Sequence, residues 1–294
     1  MKLAMNHKSM PRLMLVAAMT IFGTIGFFVR NIPLPSGEVA FFRAVIAVAV
    51  IGIYLLGARQ GLGVPLRQLP LLAVSGAAIG INWILLFEAY RYTTVSVATL
   101  SYYFAPVIVT AVCPLLFREK LTPKQILCFV MSTIGLVLIT GFGTSGAGTD
   151  TVGILFGLGA AVFYASAVLM NKYIRDVDGM RRTFWQFLAA TVVLLPYVLL
   201  SGGFHLQQMA LTGWGSLLIV GLVHTGLCYC LYFSALKELP GQKAAILSYI
   251  DPLVAVVVSV VLLHEAIHFW QIAGGVLILG FTLLNELEFS KNRR

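Results

Sequence analysis

The most chemically suggestive residue is Asp251, a carboxylate near the middle of the apolar run ILSYIDPLVAVVVSVVLL, residues 246 to 263. The next residue, Pro252, removes a backbone N–H and frees a carbonyl one turn earlier, near Ser248, so we expect the helix to bend there. A charged side chain at the centre of a membrane helix costs at least about 2.5–3.5 kcal/mol, so Asp251 should face protein or water. Small and polar residues share its helical face, which predicts a polar cavity: Ala244, Ser248, Asp251, Ala255 and Ser259.

Two roles are open for Asp251. In the functional role, which we favour, the carboxylate exchanges a proton or accepts the ammonium group of a substrate. In the structural role, it pairs with Arg43 or is capped by serine and tyrosine hydroxyls. The matching position in the other half of the chain is Ala105, whereas an architectural acid would be expected to recur. Glu119 and Glu265 do recur, at helix ends, and we interpret them as structural loop residues.

Three more polar residues are predicted to face the same cavity. Tyr102 corresponds to Ser248 in the internal repeat, and should therefore approach the cavity from the matching helix. Asn82 and His224 each share a helical face with small residues and should point inward. For His224 two interpretations are open: a hydrogen-bonded core residue, or a proton-coupling group, because imidazole titrates near neutral pH.

Arg43 is a second intramembrane charge, about two turns into its apolar run. It could neutralise Glu38, Glu88 or Asp251, or it could bind the carboxylate of a substrate. We favour the structural ion pair, because an unpaired charge in a membrane is costly.

Aromatic residues could complete a binding site around Asp251. Phe22 and Tyr164 occupy matching positions in FGTIGFFVR and YASAVLMNK, in the first helix of each half. Together with Trp83, Tyr102 and Asp251 they could form an apolar box for an amine, since aromatic faces attract cations. The alternative is that these rings only pack.

These residues must be positioned by membrane helices, because 59% of the 294 residues are hydrophobic and only 11% are charged. A helix needs about 20 apolar residues to cross the hydrocarbon core. The chain divides into ten such runs, and the predicted fold is an all-α membrane protein with ten transmembrane helices. Spans 1 to 10 are, in order, residues 13 to 29, 37 to 57, 69 to 88, 95 to 117, 125 to 141, 152 to 171, 183 to 201, 212 to 235, 244 to 263 and 269 to 287.

The basic residues predict the orientation of these spans. With the N-terminus in the cytoplasm, 17 Lys and Arg residues fall on the inner side, only Arg30 and Arg91 fall outside, and Arg43 is intramembrane. This asymmetry predicts a multi-pass protein of the cytoplasmic membrane with both termini cytoplasmic. The net charge of +9 therefore reflects the basic residues predicted on the cytoplasmic side of the membrane, and does not indicate a nucleic-acid partner.

The two halves of the chain resemble each other. FEAYRYTTVSVATLSYYFAP, from Phe87, aligns without a gap on FSALKELPGQKAAILSYIDP, from Phe233, and the register pairs Tyr103 with Tyr249 and Pro106 with Pro252. We predict two five-helix repeats, residues 1–146 and 147–294. Because five is odd, the second repeat must cross the membrane in the opposite sense, which is typical of secondary transporters.

The two five-helix halves, the paired stretches FREKLTPKQ and LHEAIHFWQ, and Arg43 in span 2 resemble the EamA branch of the drug/metabolite transporter superfamily. The resemblance covers nearly the whole chain. It implies a ten-helix transporter of amino acids, amines or other small metabolites, commonly an exporter, with a cavity lined by spans 1, 3, 4, 6, 8 and 9. It assigns no role to Asp251.

The functional expectation is a secondary transporter that moves a small metabolite, an amino acid or other amine, by alternating access. The alternatives are a membrane-embedded enzyme using Asp251 and His224, and a passive channel. The sequence has no P-loop, H-E-x-x-H or G-x-S-x-G motif, and its cysteines suit neither a metal site nor a disulfide framework, so we expect no cofactor, no metal and no ATP hydrolysis. The expected partners are a small-molecule substrate and the bilayer, with both a monomer and a homo-oligomer open.

Overall fold

The computed structural model describes residues 10–117, 122–142, 148–239 and 247–289. Within these ranges the chain is helical and contains no β-strand. Six helices are long and apolar enough to cross a membrane, and four shorter apolar helices occupy the places of predicted spans 4, 5, 9 and 10. The predicted all-α membrane architecture is confirmed.

Most spans are single helices, and four are interrupted. The single helices are Ser36–Gly57, Leu69–Tyr92, Pro123–Phe142, Gly148–Asn171, Gly179–Leu200 and Phe269–Phe289, for spans 2, 3, 5, 6, 7 and 10. The interrupted spans are 1 (Met10–Gly23 and Ile25–Arg30), 4 (Val95–Tyr102 and Ala105–Phe117), 8 (Leu211–Leu218, Ile219–Leu227 and Cys228–Glu238) and 9, whose described helix is Ile250–Val261. Ala244, predicted to lie on the Asp251 stripe, is outside the described residues, as is Glu119.

Spans 4 and 9 are interrupted at the prolines that the repeat pairs. Pro106 and Pro252 each lie in the first turn of a new helix. Backbone N–H groups of the first turn have no acceptor within the helix, so a proline there removes no helical hydrogen bond. The turn residues Tyr103 and Tyr249 precede these helices. The bend predicted near Pro252 is therefore present as a one-residue turn at Tyr249, and its repeat partner, Pro106, follows a two-residue turn at Tyr103 and Phe104.

Span 8 is interrupted differently. Its central segment, Ile219–Leu227, is π-helical, and α-helices precede and follow it. A π-helical segment changes the angular phase of a helix, so the residues on either side no longer follow a single α-helical face. Gly221 packs on Ile46 of span 2, whereas the Cys228 thiol contacts the carbonyl of Ala18 in span 1.

Helix packing brings the interrupted spans together. Span 1 packs on spans 8 and 9, span 4 on spans 6 and 9, and span 5 on span 10. Glycines allow two close approaches between helices. Gly76 and Gly80 face span 7, while Gly153 and Gly157 face span 4 and the residues before it.

Candidate substrate site between the interrupted helices

Asp251 lies where the two proline breaks meet. It is half-buried in the first turn of Ile250–Val261, a favourable place for an acid because the helix N-terminus is electropositive. The Tyr103 hydroxyl, from the break in span 4, donates to its Oδ2 at 2.7 Å. The other carboxylate oxygen, Oδ1, receives no hydrogen bond from the described residues. Asp251 therefore joins the two repeats and keeps one oxygen available for a ligand.

The remaining stripe residues of span 9 do not all face a cavity. Ser248 is half-buried and directly precedes the break. Ser259 is buried, bonds to Glu265 and accepts from the backbone N–H of Ser96 at 3.4 Å. Ser259 is therefore a contact between spans 9 and 4, and the polar lining that helical spacing predicted ends near Asp251.

Arg43 is buried, with 5% of its surface exposed. Its Nε donates to the Thr225 hydroxyl at 2.7 Å, and its guanidinium carbon lies 4.3 Å from the centre of the Trp83 ring and 5.5 Å from that of Phe87. These rings stabilise the cation through their negative faces.

The ion pair that we expected for Arg43 does not form. No carboxylate of the described residues lies within 4.0 Å of its nitrogens. The reason is that the three candidate acids have nearer donors. Glu38 bonds to His205, Glu88 to Ser36 and Arg91, and Asp251 to Tyr103.

Three tyrosines are near both charges. Arg43 and Asp251 are close enough to interact electrostatically, although they make no direct contact. Tyr90, Tyr102 and Tyr229 are each within electrostatic range of both. The two charges of opposite sign thus share three aromatic neighbours.

The predicted aromatic residues fall into two groups of touching rings. Tyr102 contacts Tyr164 and Tyr103, with ring centres 5.4 and 5.9 Å apart. The other group runs from Phe22 to Trp83 through Tyr229 and Phe187, with successive ring centres 5.3, 5.0 and 4.9 Å apart. Tyr229 interacts electrostatically with Tyr102 and Tyr164, so the two groups are neighbours.

Asn82 lies outside this arrangement. It is 2% exposed, and its amide donates to the backbone carbonyl of Ala160 at 2.7 Å. This hydrogen bond joins span 3 to span 6, and a role for Asn82 in the substrate site stays a prediction.

His224 is fully buried in the π-helical segment. Its Nε2 lies 2.8 Å from the Thr24 hydroxyl, at the interruption of span 1, and its Nδ1 lies 3.2 Å from the carbonyl of Ile219. The ring also packs edge-on against Phe28, with centres 5.1 Å apart. Both ring nitrogens are occupied by the protein, which favours the interpretation of a hydrogen-bonded core residue.

Sequence reasoning missed Tyr103, Thr225, Tyr229 and Phe187. A signal existed for Tyr103, since the repeat alignment pairs it with Tyr249 directly before each break. Thr225 and Tyr229 lie in or directly after the π-helical segment, where α-helical spacing does not predict direction.

One end of the bundle, which we call the Arg30 end, is tied across the repeats. Arg30 forms an ion pair of 2.7 Å with Glu265, which also accepts from the backbone N–H of Val95 at 2.9 Å. A cavity of about 510 Å³ opens beside this pair, and its lining reaches Phe87 and Tyr90, next to Arg43.

These features define a class of protein. Apolar helices in the places of ten spans, several of them interrupted and with charged side chains near the interruptions, are features of a multi-pass membrane transporter.

Comparison with known proteins identifies the family. The EamA-like transporter family matches residues 10–141 and 151–286, once for each half. The chain therefore belongs to this family, and it is a multi-pass membrane transporter rather than an enzyme.

Relatives and a solved structure agree with this assignment. An uncharacterized transporter of Bacillus subtilis, YxxF, is 30% identical over 93% of this chain and 88% of its own length. The "Probable amino-acid metabolite efflux pump" of Salmonella typhimurium is 28% identical over 60% of this chain and 62% of its own length. One crystal structure has the same fold, with a TM-score of 0.67 at 17% identity over 97% of this chain and 99% of its own.

Proposed function

We propose that the protein is a secondary transporter that moves an amino acid or another small amine out of the cell by alternating access. The observation that supports this most directly is the Tyr103–Asp251 hydrogen bond, which places a carboxylate at the junction of two helix breaks from opposite repeats. Irregular backbone at membrane depth is tolerated where it lines a cavity or is buried in protein. The name of the Salmonella relative favours amino-acid metabolites and export.

We further propose that the membrane is the cytoplasmic membrane, with both termini on the cytoplasmic side. The 17 Lys and Arg residues on one side, against two on the other, support this orientation. Fusions of a fluorescent protein and of alkaline phosphatase to the C-terminus test it. Fluorescence without phosphatase activity is expected, and the reverse result would overturn the orientation.

Counterflow tests the transport mechanism. Purified protein is first screened for thermal stabilisation by amino acids, polyamines and quaternary amines, and a stabilising compound is then loaded into proteoliposomes. Transient accumulation of external labelled compound is expected, since one site that alternates between sides exchanges its substrate. A passive channel would equilibrate the label without accumulation.

Asp251→Asn tests the role of the carboxylate. The change is nearly isosteric and removes a costly charge, so we expect normal folding and insertion with counterflow abolished or strongly reduced. Adding Ala105→Asp should not restore counterflow, because Ala105 is 2% exposed and leaves no room for a second carboxylate. Asp176→Asn is the matched control, since Asp176 lies in an exposed ion pair with Arg67. Normal counterflow by Asp251→Asn would return Asp251 to a structural role.

A further inference from the structure

We propose that Arg43 is the anion subsite for the carboxylate of the transported molecule, with Asp251 as the opposing subsite for its ammonium group. The substrate class is then a zwitterionic α-amino acid with an apolar side chain, and not a simple amine. This inference rests on the proposed function and adds the second half of the binding site.

Most of the hydrogen-bond donors of Arg43 have no acceptor among the described residues. A guanidinium carries five N–H donors. Only the Nε donor has an acceptor among the described residues, the Thr225 hydroxyl, and both terminal nitrogens are left without one. A buried cation with unused donors is costly, and a carboxylate ligand would accept two of them in the paired geometry that guanidinium favours.

The acids that could neutralise Arg43 are bonded elsewhere in the protein. Glu38, Glu88 and Asp251 are each bonded to another donor. Thr225 and the Trp83 ring meanwhile fix the guanidinium in place. A positively charged group that is held in position without a counter-ion suits an anion that arrives with a ligand.

Asp251 supplies a charge of opposite sign within electrostatic range of Arg43. The two charges interact without touching, and Tyr90, Tyr102 and Tyr229 are near both. An α-amino acid carries its ammonium and carboxylate on one carbon, so it offers the complementary charge to each side of this region. The touching rings of Phe22 and Tyr229 are only partly buried and offer apolar surface for its side chain.

The test compares ligands that differ by one charged group. L-Leucine is compared with 3-methylbutylamine and 4-methylpentanoate, and L-phenylalanine with phenethylamine and 3-phenylpropanoate, by binding to the full chain in nanodiscs. We expect each amino acid to bind about 10- to 100-fold more tightly than its amine or its acid, because each of these analogues lacks one hydrogen-bonded contact with a charged group.

Two substitutions assign the subsites. Arg43→Gln should weaken amino-acid binding to the level of the amine while leaving amine binding unchanged, and Asp251→Asn should weaken it to the level of the acid. Arg43→Lys keeps the charge without the paired geometry and should retain part of the preference. Arg67→Gln and Asp176→Asn are matched controls in an exposed pair and should preserve every ratio.

The outcomes separate this proposal from the transport proposal. Equal affinity of the wild-type protein for amino acid and amine would overturn the anion subsite, even if Arg43→Gln fails to fold. Absence of binding by both amino acids would also overturn it. If either result is accompanied by counterflow of an amine, the transport proposal stands. If the expected binding ratios are found without any counterflow, the transport proposal is overturned and the two subsites are retained.

Discussion

Tyr103 and Asp251 belong to opposite repeats, and the hydroxyl of one donates to the carboxylate of the other across the two helix breaks, at 2.7 Å. A hydrogen bond in this position fixes the direction of the carboxylate and also couples the repeats.

Tyr103→Phe tests this bond. The ring is kept and one hydrogen bond to a carboxylate is lost, so we expect a loss of about 1.5–3 kcal/mol of binding free energy through a misdirected Asp251. The measurement is the substrate concentration for half-maximal counterflow, which should rise at least about tenfold. Tyr92→Phe is the control, because this ring is exposed and stacked on Phe156, and it should leave the half-saturating concentration unchanged. Unchanged half-saturation in Tyr103→Phe would show that Asp251 is positioned by other groups.

The Arg30–Glu265 pair is expected to stabilise the contact between the two repeats at the Arg30 end. In a double-mutant cycle of Arg30→Gln and Glu265→Gln, measured by thermal unfolding, we expect a coupling of about 0.5–3 kcal/mol. The exposed Arg67–Asp176 pair, whose side chains are 72% and 68% exposed, should couple by about 0.2–1 kcal/mol. Equal coupling energies in the two cycles would mean that Glu265 stabilises the protein through its hydrogen bonds with Val95 and Ser259, and not through Arg30.

His224→Gln distinguishes a core histidine from a proton-coupling group. The substitution cannot satisfy both Thr24 and Ile219, so we expect a lower unfolding temperature. The pH profile of counterflow should keep its shape, because both ring nitrogens are already bonded within the protein. A flattened profile at matched protein levels would assign proton coupling to His224.

Gly23→Ala probes the contact between spans 1 and 9. A methyl group there would lie 2.6 Å from both the carbonyl oxygen of Asp251 and the Cβ of Val254, so the spans must separate. We expect loss of counterflow together with a lower unfolding temperature. Gly280→Ala meets no atom within 4 Å and should be neutral or stabilising through helix propensity. Equal counterflow and equal unfolding temperatures of the two variants would show that spans 1 and 9 can separate without a loss of function or stability.

Helical architecture was predictable because apolar length and repeat spacing reflect physical requirements of the bilayer. The ten runs, the repeat and the break at Pro252 follow from hydrophobicity and from the missing N–H of proline. The residues that each helix face contacts on neighbouring helices were not predictable. Helical spacing assigned Asn82 to an inward face but could not show that Ala160 lay opposite.

Span 8 shows a second limit. Regular α-helical spacing predicted that His224 points into the cavity, but in the π-helical segment its ring contacts Thr24, Ile219 and Phe28. Nothing in the apolar sequence of Ile219–Leu227 distinguishes π from α hydrogen bonding. The partner of Arg43 was missed for the same reason, because Thr225 lies in that segment.

The opposite signs of Arg43 and Asp251 have an electrical consequence. When both are ionised their charges cancel, and a bound zwitterion adds none. Reorientation of the loaded site then moves no net charge through the membrane field, whereas a bound amine would add one elementary charge, worth about 2.3 kcal/mol per 100 mV across the whole field. Amino-acid exchange would then follow concentration alone, while a polarised cell interior would hold back any amine that entered the same site.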